Sequence, residues 1–120
     1  EMEQYEEALN YFFKLDFIKS NCVKAWRGIG WCSFISQKHE QAMKYYEKII
    51  EQKPLAIDYM NAGHVAWVMG DIQKASVFYG KAITASGNRE RFLEMFHKDE
   101  EALLTQGIRE EDIPLMLDLL

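Results

Sequence analysis

Three histidines and two cysteines are the residues of this sequence that most often bind metal ions or act as nucleophiles. They are His39, His64, His97, Cys22 and Cys32. Zinc sites need close spacings such as Cys-x-x-Cys or His-Glu-x-x-His, and neither spacing occurs here. The sequence therefore predicts no metal site, no cofactor and no catalytic residue.

Two further pairs of residues have a structural interpretation. Cys22 and Cys32, ten residues apart on one predicted helix, would lie about 15 Å apart along its axis, which is too far for a disulfide. Gly28 and Gly30 lie within the same predicted helix and do not follow a strand, as a phosphate-binding loop requires. We interpret these two glycines as helix-packing residues.

Length and charge narrow the class of protein. The chain has 120 residues, 48% of them hydrophobic, which suits one soluble domain. Its net charge is -5. The chain therefore lacks the surplus of basic residues that nucleic-acid binding proteins carry, and we expect no nucleic-acid partner. Residues 89–120 carry nine acids and four bases, and the rest of the chain is neutral. No apolar run approaches the roughly 18 to 20 residues of a membrane span. We expect a cytoplasmic protein that contacts no membrane, although a longer parent chain would leave room for a targeting signal.

A repeat of 33 to 34 residues organises the chain. Ala8, Ala42 and Ala75 are separated by these steps, and aromatic and aliphatic residues recur after each of them. Within each unit the recurring residues stand at i, i+4 and i+7, which is one face of an α-helix. The segments between, residues 22–35 and 56–69, have helical periodicity too. The sequence therefore predicts repeated pairs of helices.

Turn residues separate the predicted helices. Gly70-Asp71 divides one pair, with Asp71 as the N-cap, and Gly87-Asn88 ends the next unit. A helix is predicted from Arg89 to about Thr105. A last short helix follows, with Asp112 as its N-cap and Pro114 in its first turn. This gives about seven helices, the last of which form a C-terminal cap.

These residues resemble the tetratricopeptide repeat (TPR) family, whose pattern combines an aromatic residue, a glycine four positions later, a later alanine and a closing proline. The better unit contains Trp26, Ile29, Gly30, Ala42, Tyr46 and Pro54, and the next contains Tyr59, Ala62, Gly63, Ala75, Tyr79 and Ala82. The resemblance implies an all-α fold, an α-α superhelix of stacked antiparallel helix pairs (a TPR-like solenoid) with C-terminal capping helices.

The resemblance also divides the chain. One domain, residues 1–120, would comprise the second helix of a partial repeat (1–21), two repeats (22–54 and 55–87) and capping helices (88–120). The partial repeat lacks its partner helix. We therefore expect the domain to form a homo-oligomer through residues 4–16 or to belong to a longer array.

In this family a second face of the first helices lines a concave groove that receives peptides. The resemblance places in that groove Lys24, Arg27, Trp31, Phe34, Met60, Asn61, His64 and Trp67. Arg27 and Asn61 would suit a partner's C-terminal carboxylate, but Trp31 stands where a second asparagine is expected. A second interpretation is that the C-terminal helices fold back and bury these residues.

The function implied by the resemblance is a non-enzymatic protein-protein interaction scaffold, which binds a peptide segment of a partner in the groove. Two alternatives stay open. The domain also resembles the small TPR chaperones of bacterial secretion systems, which hold an export substrate in such a groove, and it would equally serve as a self-association segment of a longer repeat protein.

Overall fold

The protein is described over residues 2–120 by a computed structural model, and these residues form eight helices and no strand. The helices are α1 (Met2–Ile18), α2 (Val23–Ile35), α3 (His39–Ile50), α4 (Ala56–Val68), α5 (Ile72–Ser86), α6 (Arg89–His97), α7 (Glu100–Thr105) and α8 (Asp112–Asp118). The predicted all-α class is confirmed. Among the described helices, none combines the length and the apolar character that crossing a membrane would need.

The C-terminal quarter differs from the prediction at two places. The single helix predicted from Arg89 to Thr105 is divided into α6 and α7, because the chain turns at Asp99. The carboxylate of Asp99 is hydrogen-bonded to the buried His64. Asp112 is the first residue of α8 and not its N-cap, and its carboxylate accepts hydrogen bonds from Arg109. The extra break makes eight helices instead of seven.

The helices group into two compact units. Unit 1 ends at Lys53 and contains α1, α2 and α3, whereas unit 2, Pro54–Leu120, contains α4 to α8. The boundary lies at the proline that the repeat pattern predicted as the end of a repeat.

In unit 1, α2 packs against both α1 and α3. Two glycines on different sides of α2 allow this. The ring of Phe12 on α1 lies directly over Gly28, and a methyl group added at Gly30 would lie 2.9 Å from the ring of Tyr46 on α3. Both glycines are therefore helix-packing residues, as predicted, and each faces a different neighbouring helix.

In unit 2, α4 and α5 form the corresponding helix pair. A methyl group added at Gly63 would lie 2.7 Å from the ring of Tyr79. The helix α6 contacts both members of the pair, and the buried rings of Phe92 and Phe96 lie 5.7 and 5.6 Å from that of Tyr79. One tyrosine thus joins three helices.

Local caps fix where the helices of unit 2 begin and end. Asp71 accepts a hydrogen bond from the backbone N–H of Lys74, so its predicted role as an N-cap is confirmed. Gly87 ends α5 with φ of 94°, a left-handed conformation that glycine adopts without strain. Asn88 then caps α6 by accepting from the backbone N–H of Arg91.

Replacing Gly63 and Gly80 by alanine tests the close approach of α4 and α5. At Gly80, in α5, an added methyl group meets nothing within 4 Å, so Gly80→Ala should raise stability by about 0.5–1 kcal/mol through lower chain entropy. At Gly63 the methyl group meets the ring of Tyr79, which its buried neighbours prevent from moving. We expect Gly63→Ala to cost about 1–3 kcal/mol. Urea unfolding measures both, and equal stabilities would show that the contact does not constrain the pair.

Candidate protein-interaction site

One side of α2 builds the core of unit 1. Trp26 is buried, and its indole Nε1–H donates a hydrogen bond of 2.9 Å to Asp16 on α1. The Nζ atom of Lys48 on α3 lies 4.5 Å from the centroid of the same ring, a distance typical of a cation–π contact. Trp26 therefore links α2 to both of its neighbours.

A different side of α2 is accessible. It carries Lys24, which is exposed, and Arg27 and Trp31, which are partly exposed. These positions follow i, i+3 and i+7 and share one side of the helix. We call these three residues the α2 outer face. The indole of Trp31 packs on the buried ring of Phe34, with ring centroids 5.5 Å apart, so Trp31 is held in place while part of it stays accessible.

The corresponding side of α4 is closed. Met60, His64 and Trp67 are all buried. Asn61 is partly exposed, but its Oδ1 atom is buried and has no hydrogen-bond partner among the described residues. A buried acceptor without a partner is uncommon in folded proteins, which marks Asn61 as an unusual polar position on this helix.

The imidazole of His64 joins three helices through hydrogen bonds. Its Nδ1 atom lies 2.6 Å from the hydroxyl of Tyr79 on α5, and its Nε2 atom lies 3.0 Å from the carboxylate of Asp99, which precedes α7. A carboxylate only accepts hydrogen bonds, so we assign the proton to Nε2, which donates to Asp99. Nδ1 then accepts from the hydroxyl of Tyr79, and every polar atom of the ring is satisfied.

Burial sets the protonation states in this network. It lowers the pKa of His64, and the hydrogen bond and negative charge of Asp99 offset part of that shift. Burial, followed by the charge of Asp99, raises the pKa of Tyr79 well above 10.0. Both groups are therefore neutral near pH 7.

The position of His64 does not suit a general base, which must reach a substrate atom. Both ring nitrogens of His64 are hydrogen-bonded to protein groups, and the ring is buried. The arrangement is a structural connection between helices.

The structure thus departs from the predicted groove at four of its eight residues. Phe34, Met60, His64 and Trp67 are buried, and in unit 2 the second interpretation from the sequence applies, because Asp99 and Phe96 from the C-terminal segment cover His64. The sequence analysis assigned no role to Asp99, which it counted only among the nine acids of residues 89–120. No local spacing reveals a partner 35 residues away.

The two cysteines lie in the protein interior. Cys22 and Cys32 are free and buried, and burial raises the pKa of the Cys32 thiol, which disfavours the thiolate that nucleophilic chemistry needs. Within residues 2–120, no three side chains of the metal-binding types are close enough together to hold an ion.

A family model described as Tetratricopeptide repeat matches residues 23–54 and 59–89, which together exceed half of the chain. The chain belongs to the tetratricopeptide repeat family. The two matched stretches correspond to the pairs α2–α3 and α4–α5. A comparison with curated protein sequences found no match. Tetratricopeptide repeats typically form non-enzymatic scaffolds for protein-protein interaction, and this chain has two of them.

Replacing His64 by glutamine tests its buried neutral state. Because the pKa of His64 is lowered from 6.5 in the folded protein, the unfolded chain binds a proton below pH 6.5 that the folded chain does not. Stability should therefore fall as pH decreases below 6.5, with a contribution from this residue of up to about 1.4 kcal/mol per pH unit. His64→Gln should lack that contribution. Urea unfolding of both chains between pH 7.5 and 5 measures it, and parallel pH profiles would contradict the assignment.

Proposed function

We propose that this tetratricopeptide repeat protein binds an acidic segment of a protein partner on the α2 outer face. One observation carries the proposal. Lys24, Arg27 and Trp31 present two cations and a partly accessible indole on one side of a helix whose other side is buried in unit 1. Arginine matches the geometry of a carboxylate, and tryptophan and arginine are the residue types that most often dominate binding energy at protein interfaces.

The packing of Trp31 adds to this support. Its ring packs on the buried ring of Phe34, and a packed side chain loses less entropy on binding than a mobile one. Asn61, in unit 2, stays a predicted groove residue and plays no part in this proposal.

The distribution of charge favours an acidic partner. The two charged residues of the α2 outer face, Lys24 and Arg27, are both basic, although the whole chain is acidic. Complementary charge speeds association and selects among partners more than it strengthens binding. The α2 outer face therefore suits a segment rich in aspartate and glutamate.

The chaperone alternative has less support. A chaperone groove for export substrates needs a continuous apolar surface, whereas the apolar members of the predicted groove, among them Phe34, Met60 and Trp67, are buried. A scaffold that binds one acidic segment needs only the accessible residues. We place that interaction in the cytoplasm, as the sequence suggested.

An array of synthetic peptides graded in net charge tests the proposal. Binding to the parent protein should increase with the number of acidic residues in the peptide. For the tightest peptide, Trp31→Ala should weaken binding by about 2 kcal/mol or more and leave the melting temperature unchanged. Arg27→Glu should weaken the binding of acidic peptides more than that of neutral peptides, because the new negative charge repels the acidic ones. Fluorescence polarisation measures the affinities.

Three matched variants control this experiment. Lys53→Glu changes an exposed charge elsewhere in unit 1 and should bind like the parent protein. Trp26→Ala and Trp67→Ala remove buried rings and should each cost about 3–5 kcal/mol of stability. Binding that is independent of peptide charge, or equal effects of Arg27→Glu and Lys53→Glu, would contradict the proposal.

A further inference from the structure

The C-terminal end of α1 exposes two large apolar side chains. Phe17 is 91% exposed and Ile18 is 80% exposed, whereas Leu9 of the same helix is buried in unit 1. Lys14 stands three and four positions before them and therefore shares their side of the helix, and Lys19 follows directly. We call Lys14, Phe17, Ile18 and Lys19 the α1 tip. It is an apolar surface between two cations.

Unit 2 contains an open apolar pocket of about 470 Å³. Its lining includes Trp67, Ile72, Leu115, Met116, Asp118 and Leu119. Trp67 and Met116 are buried and form its base, while Leu115 and Leu119 on either side are each 63% exposed. We call this the C-terminal pocket. Because large apolar side chains stand exposed around a concave base, the pocket has the character of a binding site.

The charges of the two features are opposite. The exposed carboxylate of Asp118 lines the C-terminal pocket, in the part of the chain, residues 89–120, that holds the whole net charge of -5. The α1 tip carries Lys14 and Lys19, in the segment 14–27 where bases outnumber acids. An apolar projection with cations thus matches an apolar pocket with an acidic wall, and one chain supplies both.

We propose that the α1 tip of one molecule binds in the C-terminal pocket of a second copy. Phe17 enters the pocket against Trp67, Ile18 contacts the exposed leucines, and a lysine of the tip faces Asp118. This inference does not depend on the α2 outer face. It also differs from the oligomer expected from the sequence, because its apolar contacts, Phe17 and Ile18, lie at the C-terminal end of α1 and beyond residues 4–16.

Such an interface joins two different surfaces, so each copy keeps one unused tip and one unused pocket. Associations of this kind are heterologous and continue into open chains unless their rotation closes a ring. We expect a contact between one helix end and one pocket to bury less than the roughly 1,200–2,000 Å² of a stable interface. We therefore expect association in the micromolar to millimolar range, with an average mass that rises with concentration.

Analytical ultracentrifugation of the full chain across this range, with two complementary variants, tests the proposal. Phe17→Ser removes the aromatic ring of the α1 tip, and Leu119→Glu places a charge in the C-terminal pocket. Because both positions are exposed, both variants should keep the fold, which thermal melts would verify. Each variant alone should raise the dissociation constant by about tenfold or more. An equimolar mixture should form a 1:1 complex, because the pocket of one variant and the tip of the other are intact.

Two controls separate this interface from other surfaces. Tyr11→Ser changes a side chain of α1 that is 61% exposed and lies within residues 4–16, and Val77→Glu adds a charge to an exposed position of α5. Both should associate like the parent chain. A monomer at every concentration, equal effects of Tyr11→Ser and Phe17→Ser, or a mixture that does not restore the complex would overturn the proposal. Binding of acidic peptides by Phe17→Ser should be unchanged, so failure here is distinct from failure of the α2 outer face.

Discussion

The contact of a tyrosine ring with the backbone of a glycine is the constraint on which each helix pair depends. Tyr46 meets Gly30 in unit 1, and Tyr79 meets Gly63 in unit 2. Only a residue without a side chain allows the ring so close, so the contact sets both the distance between the helices and the rotation of the first helix about its axis. That rotation decides which side chains of the helix face its partner and which face away.

Equivalent positions of the two repeats lie in different environments in the two units. Trp31 and His64 are related by the 33-residue step, yet Trp31 is partly accessible on the α2 outer face, while His64 is buried and bonded to Tyr79 and Asp99. A buried histidine with both nitrogens satisfied stabilises one arrangement of its neighbours. In unit 2, His64 therefore packs against the C-terminal segment, whereas Trp31 at the equivalent position of unit 1 stays accessible.

Local periodicity explains what the sequence could predict. The repeat placed the helix pairs, the packing glycines and the cap at Asp71, because each depends on residues within one or two turns or on a repeated pattern. The break at Asp99 and the burial of His64 coincide with a hydrogen bond between these two residues, 35 positions apart, and no periodic signal contains such a contact. The C-terminal segment has no second copy in the chain to compare with, so its packing could not be inferred by alignment.

The three tryptophans occupy three different environments, so the intrinsic fluorescence of each can be used to follow a different part of the protein. Trp26 is buried in unit 1 beside a lysine, Trp67 is buried in unit 2, and only Trp31 is partly open to water. A collisional quencher such as acrylamide should therefore reach Trp31 first. In chains that keep one tryptophan at a time, intrinsic fluorescence would follow the unfolding of each unit separately and show whether the two units unfold together.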